Sequence, residues 1–134
     1  MSVFVDTSAL YALFDRDDRG HAQCAAAWAG LAGGRRALVT TNYVLLETTA
    51  LLQRRFGMAA VRDLDDAILP LVVVRWITEG LHRRAADRLR RADRRELSLV
   101  DCSSFLVMED EAIRDAFAVD RDFATAGFRL LPGA

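Results

Sequence analysis

Asp6, Glu47, Asp101 and Asp120 are the residues of this chain whose positions best suit chemistry. Asp6 closes the apolar run 3–5 and Asp120 follows the run 116–119. Glu47 and Asp101 each lie about one turn into a stretch of helical character. In a parallel sheet with helical crossovers, the carboxyl ends of the strands and the helix starts that follow them share one rim, and ligands bind there. Carboxylates crowded on that rim repel one another and take up protons unless a cation neutralises them. Such a pocket suits a divalent metal.

Each acid also has a plain structural reading. Asp directly before a helix, as at Asp6, is a preferred N-cap. Glu47 has Tyr43, Val44, Ala50 and Leu51 as helical neighbours, so it reads as projecting from an apolar stripe, where a charge needs an arginine or a metal. Ser98-Leu99-Val100-Asp101 matches the helix-opening capping box, although that box prefers Glu or Gln. Asp120 and Asp122 flank Arg121 in a turn, where Asp is common. One shared site accounts for all of these together, whereas separate structural roles would have to converge on the same rim by coincidence.

The elements needed to position them are legible. A strand at 3–5 leads into a helix capped by Asp6-Thr7-Ser8 and running to Phe14; the polar segment 15–20 reads as a turn. A second helix runs from His21 through Trp28 to Leu31, stopped by Gly33-Gly34. A strand at 37–40 precedes a helix over 43–56, capped by Thr41 or Asn42 and ended by Gly57. A further helix covers 59–69 and breaks at Pro70. The run 71–77 is the most apolar strand candidate, and an Arg-rich helix follows Gly80 to about Arg91. Ser98 opens a helix through Met108, residues 116–119 form a strand, and 128–131 a last edge strand. Strands alternating with helices predict an α/β protein whose parallel sheet is covered on both faces. With no repeat, linker or low-complexity segment, residues 1–134 form a single domain.

Bulk composition narrows the class. The 134 residues are 52% hydrophobic and 28% charged, with two prolines, as in a folded globular domain. A net charge of −1 means that any nucleic-acid contact must come from local patches. All eighteen basic residues are arginine, a bias we assign to coding composition. Cys24 and Cys102 lack metal or disulfide spacing, which fits a reducing compartment. The start Met-Ser-Val-Phe-Val-Asp has no basic residue and reads against a signal peptide; the longest purely apolar run, 71–74, is too short to span a bilayer. The expectation is a soluble cytoplasmic domain.

Four segments, Val-Phe-Val-Asp6-Thr-Ser-Ala-Leu, Thr40-Thr-Asn-Tyr-Val-Leu-Leu-Glu47, Leu97-Ser-Leu-Val-Asp101 and Phe117-Ala-Val-Asp120-Arg-Asp-Phe123, resemble the PIN-domain signature in order and spacing. The resemblance covers essentially the whole chain, and the nearest subgroup is the single-domain VapC-type toxins of bacterial toxin–antitoxin pairs. It implies a three-layer α/β/α sandwich around a mainly parallel sheet of four to five strands, with Mg²⁺- or Mn²⁺-dependent endoribonuclease activity. It also implies a homodimer and a small antitoxin whose tail occupies the acidic groove. A stand-alone RNA-processing PIN nuclease, or a non-catalytic PIN-fold module that binds RNA or protein, are the other readings. Asp6, Glu47, Asp101 and Asp120 carry over as the acidic quartet, with Thr7 or Ser8 beside it. The family commonly places Thr or Ser two residues before the last acid, and this chain has Ala118 there; Asp122 is a second candidate for the role of Asp120.

On this reading Asp6 and Asp101 bind the metal directly, Glu47 binds or orients the attacking water, and Asp120 completes the shell, for hydrolysis of RNA without a covalent enzyme intermediate. An acidic pocket repels phosphate, so cations must surround it. Arg83, Arg84, Arg88, Arg90, Arg91, Arg94 and Arg95 form the densest basic stretch, and Arg16 and Arg19 lie in the first turn. Their candidate role is RNA-backbone binding; interleaved Asp87, Asp93 and Glu96 offer the alternative of a solvated helix face. His21 and His82 read as surface or capping residues, and Trp28 and Trp76 as core.

Overall fold

The computed structural model describes residues 1–133. Its order is β1 (Ser2–Val5), α1 (Thr7–Phe14), α2 (His21–Ala32), β2 (Ala37–Thr41), α3 (Asn42–Phe56), α4 (Met58–Asp63), β3 (Val72–Arg75), α5 (Glu79–Ala92), α6 (Leu99–Asp110), β4 (Asp115–Phe117), α7 (Asp122–Thr125) and β5 (Arg129–Leu131). All strands are parallel, in the order β3-β2-β1-β4-β5. Moving along the chain, the sheet grows one way from β1 through β2 to β3, then resumes on the other side of β1 with β4 and β5. The two directions part between β1 and β4, the kind of crevice where α/β sheets bind ligands.

Continuous apolar strands make this arrangement possible. Val3, Phe4 and Val5 are fully buried, as are Ala116 and Phe117 of β4, because these interior strands have both faces covered. Phe4, Phe105 and Phe123 interlock nearby, with the Phe105 and Phe123 rings edge-to-face at 4.9 Å. Helix α6 is enclosed along most of its length: Asp101 through Met108 are all buried, which explains its run of small and apolar residues. Cys24 and Cys102 are buried free thiols. Among the described residues no helix is long and apolar enough to cross a membrane.

Several expectations need correction. The run 71–77 is shorter as a strand, Val72–Arg75, and it lies at the edge of the sheet with alternate residues facing solvent. Trp76 just beyond it is 72% exposed instead of in the core, whereas Trp28 packs on Phe117 with ring centres 5.4 Å apart. The helix expected over 59–69 starts at Met58, and its α-helical part ends at Asp63. A π-helical turn (Leu64–Ile68) and a 3₁₀ turn (Leu69–Leu71) follow. Pro70 has no N–H and its ring crowds the carbonyl four residues back, so the regular ladder cannot continue through it. Helix α5 begins before Gly80, because the Thr78 hydroxyl caps it by accepting from the Leu81 amide. Strand β4 starts at Asp115 and stops at Phe117, leaving Ala118 and Val119 in the turn.

Candidate metal centre

Each candidate acid is placed by a local feature of its element. Asp6 follows β1 and caps α1: its Oδ2 accepts from the Ser8 amide (3.0 Å) and the Ser8 hydroxyl (2.6 Å). Asp101 is the third residue of α6, in a complete capping box. The Ser98 hydroxyl accepts from the Asp101 amide (3.0 Å), and Asp101 Oδ2 accepts from the Ser98 amide (3.4 Å). The structural reading of Asp101 is therefore correct, and the capping bond engages Oδ2 alone of its two oxygens. Asp120 follows β4, and its Oδ1 accepts from the Asp122 amide (2.9 Å) at the start of α7. Ligand oxygens of Asp101, Asp120 and Asp122 all lie within 4.8 Å of one another. This trio includes Asp122 and does not include Asp6 or Glu47.

Glu47 corrects a sequence expectation. The buried line of α3 is Val44, Thr48 and Leu52, one position round from the stripe expected through Tyr43 and Ala50, and Glu47 is exposed. It makes no ion pair with an arginine among the described residues, and it still faces the centre closely enough to act electrostatically on Asp6 and Asp101. Thr48, which the sequence did not single out, is fully buried and shares a 2.8 Å hydrogen bond with Thr7. Thr7 also donates to the Val44 carbonyl, so this pair fixes α3 against the start of α1.

Burial and mutual repulsion show in the acids' proton affinities. Burial pushes the Asp6 carboxyl up to about 7, and the charges of Asp101 and Glu47 add to the rise while the Ser8 hydrogen bonds oppose it. Asp101 is pushed up to about 6, first by burial and then by Asp120, against the bonds from Ser98. The cost of holding these charges falls if a cation joins them. Donors that are all carboxylate oxygens fit a hard divalent ion such as Mg²⁺ or Mn²⁺. Oxygens on one octahedral ion at about 2.1 Å lie about 3–4 Å apart. Small closing movements of Asp101, Asp120 and Asp122 would meet that requirement.

The position vacated by the expected Thr or Ser at 118 is covered from elsewhere. Ala118 is fully buried, and its amide donates to the Leu131 carbonyl. The Ser8 hydroxyl accepts from the amides of Val119 (3.0 Å) and Asp120 (3.2 Å), while donating to Asp6. One side chain thus ties the end of β1 to the end of β4.

The arginines of α5 are mostly engaged. Arg83 pairs with Glu79, Arg84 with Asp110, Arg88 with Glu109 and Arg90 with Asp87. Arg88 also lies over the Phe105 ring. Arg16, Arg19 and Arg91 are exposed and make no ion pair among the described residues. Sequence reading overlooked Asp115, which is buried between Arg36 (2.7 Å) and Arg129 (2.6 Å) at the start of β4, the opposite end of the sheet from the carboxylate rim. His21 anchors α2 through a 2.8 Å bond between its Nδ1 and the Ala12 carbonyl, and His82 pairs with the Tyr43 hydroxyl.

A five-stranded parallel sheet with acids gathered at the crevice between β1 and β4 defines the class: the PIN-domain model matches residues 3–129, and the chain belongs to that family. It is 40% identical over 127 residues, 94% of this chain and 95% of the relative, to the 23S rRNA-specific endonuclease VapC20 of Mycobacterium tuberculosis, in both the CDC 1551 / Oshkosh and H37Rv strains. The crystal structure of M. tuberculosis VapC20, described as a sarcin–ricin-loop-cleaving toxin, matches with a TM-score of 0.83 at 41% identity, over 95% of this chain and 96% of that one.

Proposed function

We propose that this protein is a metal-dependent endoribonuclease and the toxin of a VapBC-type pair, with the acids of the β1–β4 crevice as its active site. The observation that carries this reading is the trio Asp101, Asp120 and Asp122, whose oxygens lie within 4.8 Å beside the buried Asp6. Relatives at 40% identity that cleave 23S rRNA support RNA as the substrate, with the sarcin–ricin loop as the first target to test. Asp101, Asp120 and Asp122 would hold Mg²⁺ or Mn²⁺, with Asp6 held by Ser8 as the buried acid behind them. When bound, the ion supplies Lewis acidity and a template for in-line displacement at phosphorus. The exposed Glu47 would orient the attacking water and accept its proton. Ser8 keeps the Asp6 and Asp120 turns in register. The resemblance to VapC toxins further supports a homodimer and inhibition by a small antitoxin bound over the acids.

The decisive experiment incubates the purified protein with a 23S rRNA fragment containing the sarcin–ricin loop, in Mg²⁺, Mn²⁺ or excess EDTA, and maps the cut ends. Specific cleavage with either metal and none in EDTA is expected. Asp6→Asn should lower the rate by about a hundredfold or more, the scale of losing an essential charge-bearing group from an active site. Undiminished cleavage by Asp6→Asn, or in EDTA, would sink the assignment.

A further inference from the structure

The rim acids repel the RNA that the proposed nuclease must bind, so at least one cation should face them directly. Most arginines of α5 are committed to acids away from the crevice. Arg94 is different: it lies in the loop between α5 and α6, and its Nη2 is 3.1 Å from Oδ1 of Asp122, a member of the trio itself. Among the described residues it is the one arginine that forms an ion pair with any of Asp6, Glu47, Asp101, Asp120 and Asp122. Its side chain is 45% exposed, and this single bond uses one of the five N–H donors of a guanidinium. Arg94 and Arg95 also line an open cleft of about 480 Å³, with Leu89, Asp93 and Leu97 as its other walls.

These facts describe a group with two competing anions within reach. Without RNA, Asp122 supplies the negative charge. Once a divalent cation engages Asp122, its hold on Arg94 weakens, and a phosphodiester offers two oxygens in the planar geometry that a guanidinium matches best. Resting on the nuclease reading above, we propose that Arg94 is the site's phosphate-binding arginine. It holds Asp122 in the free protein and turns to a phosphate beside the scissile bond when RNA is present, with the strand continuing past Arg95.

The test compares Arg94→Ala and Arg94→Lys with the parent by three readouts. Mn²⁺ binding without RNA, followed by electron paramagnetic resonance, should tighten about threefold in Arg94→Ala, because a competing positive charge has gone. RNA binding, measured by anisotropy in an Asp6→Asn background, should weaken about tenfold. The slope of log affinity against log salt should fall by about 0.7–0.9, the signature of one lost phosphate contact. Arg94→Lys should recover part of the affinity and most of the salt slope, since it keeps the charge and loses the fork. Weakened Mn²⁺ binding together with a lower melting temperature in Arg94→Ala would make Arg94 a structural tether for Asp122 and overturn the proposal. A parent that cuts RNA while Arg94→Ala binds and cuts it equally well overturns this proposal alone. A parent that neither binds nor cuts RNA removes the nuclease reading and this proposal with it.

Discussion

The hydroxyl of Ser8 donates to Asp6 and accepts from the amides of Val119 and Asp120, so one oxygen organises both sides of the crevice. Ser8→Ala would strip Asp6 of a hydrogen bond that opposes its raised proton affinity and leave two amides of the Ala118–Asp122 turn without their partner. We expect a stability loss of about 1–2 kcal/mol in urea unfolding and a fall in cleavage of about tenfold or more, with Asp120 less well held. An unchanged cleavage rate in Ser8→Ala would show that the bracket does not serve the site. At this scale the sequence was partly legible. Asp6, Asp101 and Asp120 could be found because each sits at a strand end or a helix start. Thr48 and the partners of Ser8 could not, because their contacts cross from one element to another and leave no local spacing. Glu47 was singled out for an incorrect reason: its neighbours in sequence are apolar, but the buried face of α3 runs one residue further round.

At the scale of elements, α6 joins folding and chemistry in one side chain. Asp101 closes the capping box with Ser98 and also stands in the acidic trio. Ser98→Ala should cost about 1 kcal/mol of stability through the lost cap. It should also raise the proton affinity of Asp101 further, since the Ser98 side chain provides one of the two hydrogen bonds that lower it. The pH at which cleavage reaches half its maximum should therefore move upward; a stability loss with no such movement would separate the two roles of Asp101. The helices were read well because their caps and glycine stops are local chemistry. The strands were read less well at their limits. Apolar content made 71–77 the clearest strand candidate, yet only 72–75 pair, at the sheet edge decided by which strands pair, and Trp76 ends in solvent. Pro70 signalled a break correctly, but the π-helical turn before it follows from how the ladder accommodates that residue.

Across the whole molecule, two sets of buried acids push stability in opposite directions with pH. Asp6 and Asp101 titrate higher in the folded state than the ordinary value of 3.8. The native protein thus holds protons that the unfolded chain has already released, and stability falls as pH rises from about 4 to about 7. Asp115 is the reverse: the hydrogen bond from Arg129, with Arg36 assisting, lowers its proton affinity, so its contribution is present above 3.8 and lost as pH drops below it. The metal-free protein should be most stable near pH 4 and lose several kcal/mol by pH 8. Saturating Mg²⁺ should restore that loss by binding the charged acids of the folded state alone. Melting temperatures across pH in EDTA and in Mg²⁺ should therefore diverge toward alkaline pH; curves that stay parallel would count against a metal at the rim. The Ser8 bracket has a further consequence, for the timing of synthesis. Its hydroxyl meets amides 111 and 112 residues later in the chain, so no early portion of a nascent chain contains a complete centre. Non-local parallel pairing is slow to form, and β1 must wait at the ribosome for β4 to emerge. Until β4 docks, the Asp6 and Asp120 turns are not held together, so the acids of the crevice are assembled only as the fold completes.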